Sequence, residues 1–267
     1  HHVLSVLIYN VAILSTYYFL SSLIGVKLAL LSLILFTAHP IGTQAIAWCS
    51  GIGYPLSFLW ISLSFNLVQW YGHEPHSYAV IALTFVIFVI LNFLAINALF
   101  VGLMAWTVLL FLNQPVFAAI NILVSIVVGL GIVKESINYR QEKFKKQNMG
   151  GSTFLKWRKA IIALKTVYYY FKLILWPNKM GLYHEWGYHY NADLEREDKQ
   201  MLCGLLCVIG SIFVFLFTPY IPVKLGILWF YSFIFIFLNW ITIQQFVTER
   251  YAFVPTLGFA MILSFLL

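Results

Sequence analysis

Charge is what this chain has least of. Asp, Glu, Lys and Arg make up 9% of its 267 residues, and 62% are hydrophobic. A soluble domain carries about a quarter charged residues. That contrast argues against a soluble domain with one anchor and predicts a polytopic membrane protein. Cysteine is also sparse. Cys49, Cys203 and Cys207 show no metal-ligand spacing. Cys203 and Cys207 lie one helical turn apart in an apolar run, where they read as small packing residues rather than a disulfide. Only nine acidic residues are present, too few intramembrane charges to favour an ion-coupled transporter. No internal repeat, low-complexity tract, nucleic-acid motif or identifiable signal peptide appears. The chain does not begin with Met and stops inside an apolar run at Leu267. A fragment, or the ordered part of something longer, is therefore expected.

Apolar and aromatic runs are abundant. Trp, Tyr and Phe together reach 18%, as aromatic belts at membrane interfaces require. Val3–Ile24 reads as a span stopped by Gly25. Leu28–Ala38 is apolar and ends at His39-Pro40, since proline excludes helix at the residue before it. Ile41–Tyr54 is mixed in polarity and reads as an interfacial or re-entrant segment. Pro55–Tyr71 is the next span, and 72–77 a loop. Tyr78–Leu112 is too long for one span of about 20 residues, and Asn92 and Asn97 suggest a break within it. Val116–Val133, Met201–Phe217, Val223–Thr242 and Phe253–Leu267 read as further spans. Residues 134–158 form a polar linker and 177–199 an aromatic, acidic loop. Ala160–Trp176 is amphipathic and suits a helix lying on the interface or crossing it. The expectation is an all-α multi-pass integral membrane protein, a single transmembrane domain over 1–267 with about nine membrane helices.

The charge that is present is unevenly placed. Lys134 to Lys172 holds ten Lys/Arg against two acids, and Glu185 to Asp198 holds five acids. The positive-inside rule then puts 134–158 in the cytoplasm and 177–199 outside. Two spans further on, Glu249-Arg250 falls outside as well.

That acid–base pair opens the stretch Glu249-Arg-Tyr-Ala-Phe-Val-Pro-Thr-Leu-Gly258. Ionisable groups at a membrane seam are costly and face protein, water or a headgroup. An interfacial anchor and a headgroup site are both open readings. Pro255 and Gly258 punctuate the restart of the apolar run. His184 and His189, with Glu185 between them, have a loop setting and a spacing that argue against a metal site.

Four stretches carry a resemblance. They are His1-His-Val-Leu-Ser-Val-Leu-Ile-Tyr-Asn10, the run Leu35-Phe-Thr-Ala-His-Pro to Trp48-Cys-Ser-Gly51, Leu175-Trp-Pro-Asn-Lys-Met-Gly-Leu-Tyr183, and Glu249 to Phe259. In that order they resemble motifs of the TMTC-type proteins (transmembrane and tetratricopeptide repeat), which are related to the GT-C class of glycosyltransferases. The resemblance implies a GT-C-like fold and transfer of a sugar, typically mannose, from a polyprenyl-phosphate carrier to a hydroxyl acceptor. It implies membrane lipid and the lipid-linked sugar as binding partners, with no cofactor and no metal. A carboxylate acts as general base in such chemistry, and a cation stabilises the leaving phosphate. Arg250 suits that cation because its fork binds phosphate bidentately. Glu249 then holds the guanidinium or the sugar hydroxyls. His39 reads as a phosphate or sugar ligand, or as a helix cap. Tyr251, Trp48 and Trp186 read as sugar-stacking or belt aromatics.

The chain departs from the family pattern. Gln44 stands where the family has Glu, and Ile52 where Arg follows Ser-Gly. The family's Lys-Glu pair has no counterpart near Ala95-Ile-Asn97. The acidic pair expected to supply the base lies upstream of the region where this chain starts, so no general base is identified. The repeat array is missing. The alternative expectation is a non-catalytic GT-C-like scaffold, a pseudoenzyme that packs with other membrane subunits.

Overall fold

A computed structural model describes residues 2–47, 53–71, 154–177, 198–238 and 249–267. The described residues are helical throughout, without a strand. In order the helices are α1 (His2–Ile24), α2 (Val26–Ala38), α3 (Ile41–Ala47), α4 (Gly53–Tyr71), α5 (Phe154–Leu175), α6 (Asp198–Phe217), α7 (Ile221–Ile234) and α8 (Glu249–Leu266). A 3₁₀ turn, Phe235–Leu238, extends α7. Two helices, His2–Ile24 and Lys199–Phe217, are long and apolar enough to cross a membrane. The expected spans Tyr78–Leu112 and Val116–Val133 and the loop at 72–77 lie outside the described residues. So do most of the 134–158 linker and most of the 177–199 loop.

The helix breaks follow backbone chemistry. Gly25 takes φ 85, a left-handed conformation that side chains resist, and the chain turns there between α1 and α2. Pro40 has no N–H to donate, so α2 stops and α3 starts afresh at Ile41. Pro219 separates α6 from α7, and Pro222 sits in the first turn of α7, where a missing N–H costs nothing. Three starts differ from expectation by three residues or more. α5 begins at Phe154, inside the stretch read as linker. α6 begins at Asp198 rather than Met201, and α8 at Glu249 rather than Phe253. Pro255 and Gly258 do not interrupt α8. A single interior proline removes one helical hydrogen bond, and in a packed bundle the neighbouring helices compensate.

Helix α8 is the hub. It packs on α7, α2, α3, α4 and α5. All residues from Tyr251 to Met261 are buried. At the α7–α8 crossing Gly226 faces Gly258, and a Cβ on Gly258 would run into the carbonyl oxygen of Gly226. On the far side, Gly204 of α6 lies against the backbone of Leu164 in α5. Backbones approach this closely only where side chains are absent.

Helix α1 mixes small polar and large apolar residues on its inner face and exposes a wholly apolar set. Ser5, Ala12, Ser15 and Thr16 are buried beside Tyr9, Phe19 and Leu20, while Val3, Leu4, Val6, Leu7 and Leu14 point outward. The hydroxyls of Ser15 and Thr16 have partners within the bundle. Thr16 Oγ1 donates to the Ala12 carbonyl at 2.7 Å. Asn66 Nδ2 of α4 donates to the Ser15 carbonyl at 2.7 Å and lies 3.0 Å from Ser15 Oγ. Ser32 and Ser264 share a 2.7 Å hydrogen bond between α2 and α8.

Candidate functional site

Residues of three of the four sequence stretches meet at one end of this bundle, and α5, which leads into the fourth, ends there. The C-terminus of α2, the start of α3, the N-terminus of α4, the C-terminus of α5 and the first turns of α8 all converge there. Phe253 is the keystone. Its ring lies 5.9 Å from Tyr9, 5.4 Å from Phe36 and 5.8 Å from Phe58 between centroids. Tyr9 and Phe36 are themselves 6.4 Å apart. These edge and tilted contacts match the preference of aromatic quadrupoles. Tyr9, Phe36 and Phe253 each come from a different one of the four stretches.

A polar contact brings in the helix that precedes the remaining stretch, whose described residues, Leu175, Trp176 and Pro177, are exposed. His39 sits in the turn between α2 and α3, with the extended backbone that a following proline demands. Its Nδ1 is 3.2 Å from the backbone N of Ile41, which can only donate, so Nδ1 accepts. The ring proton is therefore on Nε2, which donates to the Ile174 carbonyl at 2.9 Å. Ile174 lies in the last turn of α5, next to Leu175-Trp-Pro177. Both ring nitrogens are thus committed to backbone. Of the two readings of His39, the structure displays the cap: it closes the start of α3 and one of the terminal carbonyls of α5.

Tyr251 is buried and stacked on Phe237, with centroids 4.2 Å apart and planes 10° from parallel. Tyr54, at the start of α4, lies 6.5 Å from it. One face of the Tyr251 ring is therefore already covered by protein. Gly42, in the first turn of α3, faces Phe253; a Cβ there would sit 3.9 Å from that ring. The structure describes Glu249 and Arg250 as the backbone of the first turn of α8, and not their side chains. Trp48, Ile52 and Trp186 lie outside the described residues, and of Gln44 only the backbone in α3 is described.

Sequence reasoning missed Phe36, Phe58, Phe237 and the Ile174 carbonyl. Phe36 and Ile174 had a signal, since each lies within or beside a quoted stretch. Phe58 and Phe237 look like any apolar-helix aromatic. Among the described residues no three of His, Cys, Asp and Glu come together to hold a metal ion. Away from this end, a groove of about 340 Å³ runs between α5, α6, α7 and α8. It is lined mostly by apolar side chains such as Leu206, Val214, Ile227 and Ile262. The Tyr231 hydroxyl spans it to Ser211 Oγ at 3.0 Å. Compared with known protein families, curated proteins and solved structures, the chain matches none.

Proposed function

We propose that the chain is a multi-pass integral membrane protein of GT-C-like architecture, with about nine membrane helices. It transfers a mannose-like sugar from a polyprenyl-phosphate carrier to a hydroxyl acceptor on the extracytoplasmic side. The observation that carries this reading is the convergence. Tyr9, Phe36 and Phe253, from three of the four stretches that carry the resemblance, pack together at one end of one bundle, and His39 ties in the end of α5 just before the fourth. The membrane setting is supported by α1, which is long and apolar enough to cross a membrane and turns Val3, Leu4, Val6, Leu7 and Leu14 outward, while Ser5, Ala12, Ser15 and Thr16 pack inward beside Tyr9, Phe19 and Leu20. Lipid tails are as apolar as leucine, so in a bilayer the packing of small residues decides which face is inside.

In the proposed reaction the acceptor oxygen attacks the anomeric carbon. The bond from that carbon to the phosphate oxygen breaks, and the lipid phosphate leaves with the bonding electrons. The hydroxyl proton passes to a carboxylate base. Arg250 stabilises the charge that gathers on the departing phosphate, and Glu249 holds the guanidinium. Tyr251 and His39 position rather than bind, because their rings already serve the packing. No residue is assigned as base; the described residues include two of the nine carboxylates, Asp198 and Glu249.

The test is reconstitution of the whole chain in liposomes with labelled polyprenyl-phosphate mannose and a pool of serine- and threonine-containing peptides. Label is expected on peptide, dependent on the lipid-linked donor. Absence of both transfer and donor hydrolysis would contradict the reading.

A second reading has its own support. Gln44 replaces a family carboxylate, and of α6's apolar window only 6% is buried. That outer surface suits neighbouring subunits, as a non-catalytic scaffold would need. It predicts co-purification with other membrane subunits in fixed ratio, and an active, isolated monomer would count against it.

A further inference from the structure

We infer that His39 is a positioning residue: its neutral, Nε2-protonated ring latches the α2–α3 turn to the C-terminus of α5, fixing the start of α3 and the Leu175-Trp-Pro177 segment relative to each other. The role as a determinant of sugar transfer rests on the function proposed above; the latch itself does not.

Three observations carry it. Ile174 is in the last turn of α5, where carbonyls run short of donors from the helix itself. His39 Nε2 donates to its carbonyl at 2.9 Å across a separation of 135 residues. The second nitrogen is occupied as well, by the Ile41 N–H at 3.2 Å. One ring therefore reads two pieces of backbone at once, and only one tautomer satisfies both. Finally, Pro40 is the reason the position is open. It removes an N–H and ends α2, so the ring leaves the helix axis and reaches α5.

The two contacts separate by substitution. The Oδ1 of asparagine takes the place of Nδ1 and keeps the local bond to Ile41, without reaching Ile174. The side-chain amide of glutamine extends as far as Nε2 and keeps the donor to Ile174. His39→Asn therefore removes the long-range bond alone, and His39→Gln retains it. A merely space-filling role would order the two variants by size and not by donor reach.

The experiment uses the whole chain in lipid nanodiscs, its three native cysteines replaced by serine. Spin labels are attached through Ile34→Cys on α2 and Leu175→Cys at the end of α5, both exposed positions. Pulsed dipolar spectroscopy reads the distance distribution between them. The expected result is a narrow distribution with His39 and with His39→Gln, and a broadened one with His39→Asn and His39→Ala. A distribution in His39→Asn as narrow as the parent's overturns the latch. So do ring ¹⁵N resonances showing His39 protonated on Nδ1 with Nε2 bare. Transfer assayed on the same four proteins is expected to follow the same order. If the parent transfers no sugar while the distances behave as stated, the functional reading falls and the latch stands. If transfer is intact in His39→Asn while its distances broaden, the latch is real and has no part in the reaction.

Discussion

Helices α8 and α6 are both apolar and nearly equal in length, and the bundle treats them in opposite ways. In α8 every residue from Tyr251 to Met261 is buried. In α6 Leu202, Leu206, Ile209, Ile212 and Phe213 all face outward. Apolarity does not explain the difference, because α6 is the more uniformly aliphatic of the two. Content and shape do. α8 brings Ala252, Gly258 and Ala260 for close approach, Phe253 and Phe259 for interlocking rings, and Thr256 and Ser264 whose hydroxyls bond within the bundle. Among the described residues α6 brings one close-packing glycine, Gly204, and meets α7 in polar contact through one side chain, the Tyr231 hydroxyl, which lies 3.0 Å from Ser211 Oγ and 3.4 Å from the Cys207 carbonyl. Where the surroundings are themselves apolar, van der Waals fit and hydrogen bonds choose the centre.

The sharpest way to break this contrast is a paired glycine substitution. Gly258→Val in α8 puts a Cβ against the Gly226 carbonyl and within 2.9 Å of the Phe230 backbone N. Neither backbone can yield without separating α7 from α8. The expected cost exceeds ~3 kcal/mol and appears as loss of the monodisperse peak in detergent. Gly210→Val in α6, where nothing lies within 4 Å of the new Cβ, leaves that peak unchanged. If the two behave alike, α8 is not the hub.

Phe253→Ala is next in size. It empties the space shared with Tyr9, Phe36 and Phe58 and should cost about 3–5 kcal/mol in a detergent unfolding titration. The same truncation at Phe213, which is 61% exposed, should stay within about 0.5 kcal/mol. A smaller effect sharpens the picture. Ser264→Ala removes the 2.7 Å bond to Ser32, and interhelical bonds of this kind average about 0.6 kcal/mol and reach about 1.7. The double variant Ser32→Ala, Ser264→Ala should cost no more than either single one, a signature of one shared bond.

Much of the helical framework was legible in the chain. Gly25 and Pro40 mark breaks because each limits what the backbone can do locally, and local limits show in sequence. Pro255 read as punctuation of the apolar run for the same reason, and α8 runs through it: a proline's local penalty is visible, and the packing that outweighs it is not. Lys165 makes the same point. The amphipathic run Ala160–Trp176 suits a helix lying on the interface or crossing it, and neither reading foretells that Lys165 is buried, at 6% exposure. At the candidate site, order along the chain pointed to four stretches without saying that residues of three of them meet. The pairing of His39 with Ile174 was hidden because a lone histidine before a proline reads the same whether it caps, binds or faces solvent. Phe253 lay inside a quoted stretch, but only the assembled bundle singles it out.

The most direct test concerns the first turn of α8, the turn just before the buried run Tyr251–Met261, at the end where Tyr9, Phe36 and Phe253 converge. Arg250→Ala should abolish transfer from labelled polyprenyl-phosphate mannose in proteoliposomes while the protein keeps the parent's chromatographic profile and unfolding midpoint. Arg250→Lys should retain a fraction of the rate, since a point charge replaces a bidentate fork. Unchanged transfer by a folded Arg250→Ala protein would contradict the account.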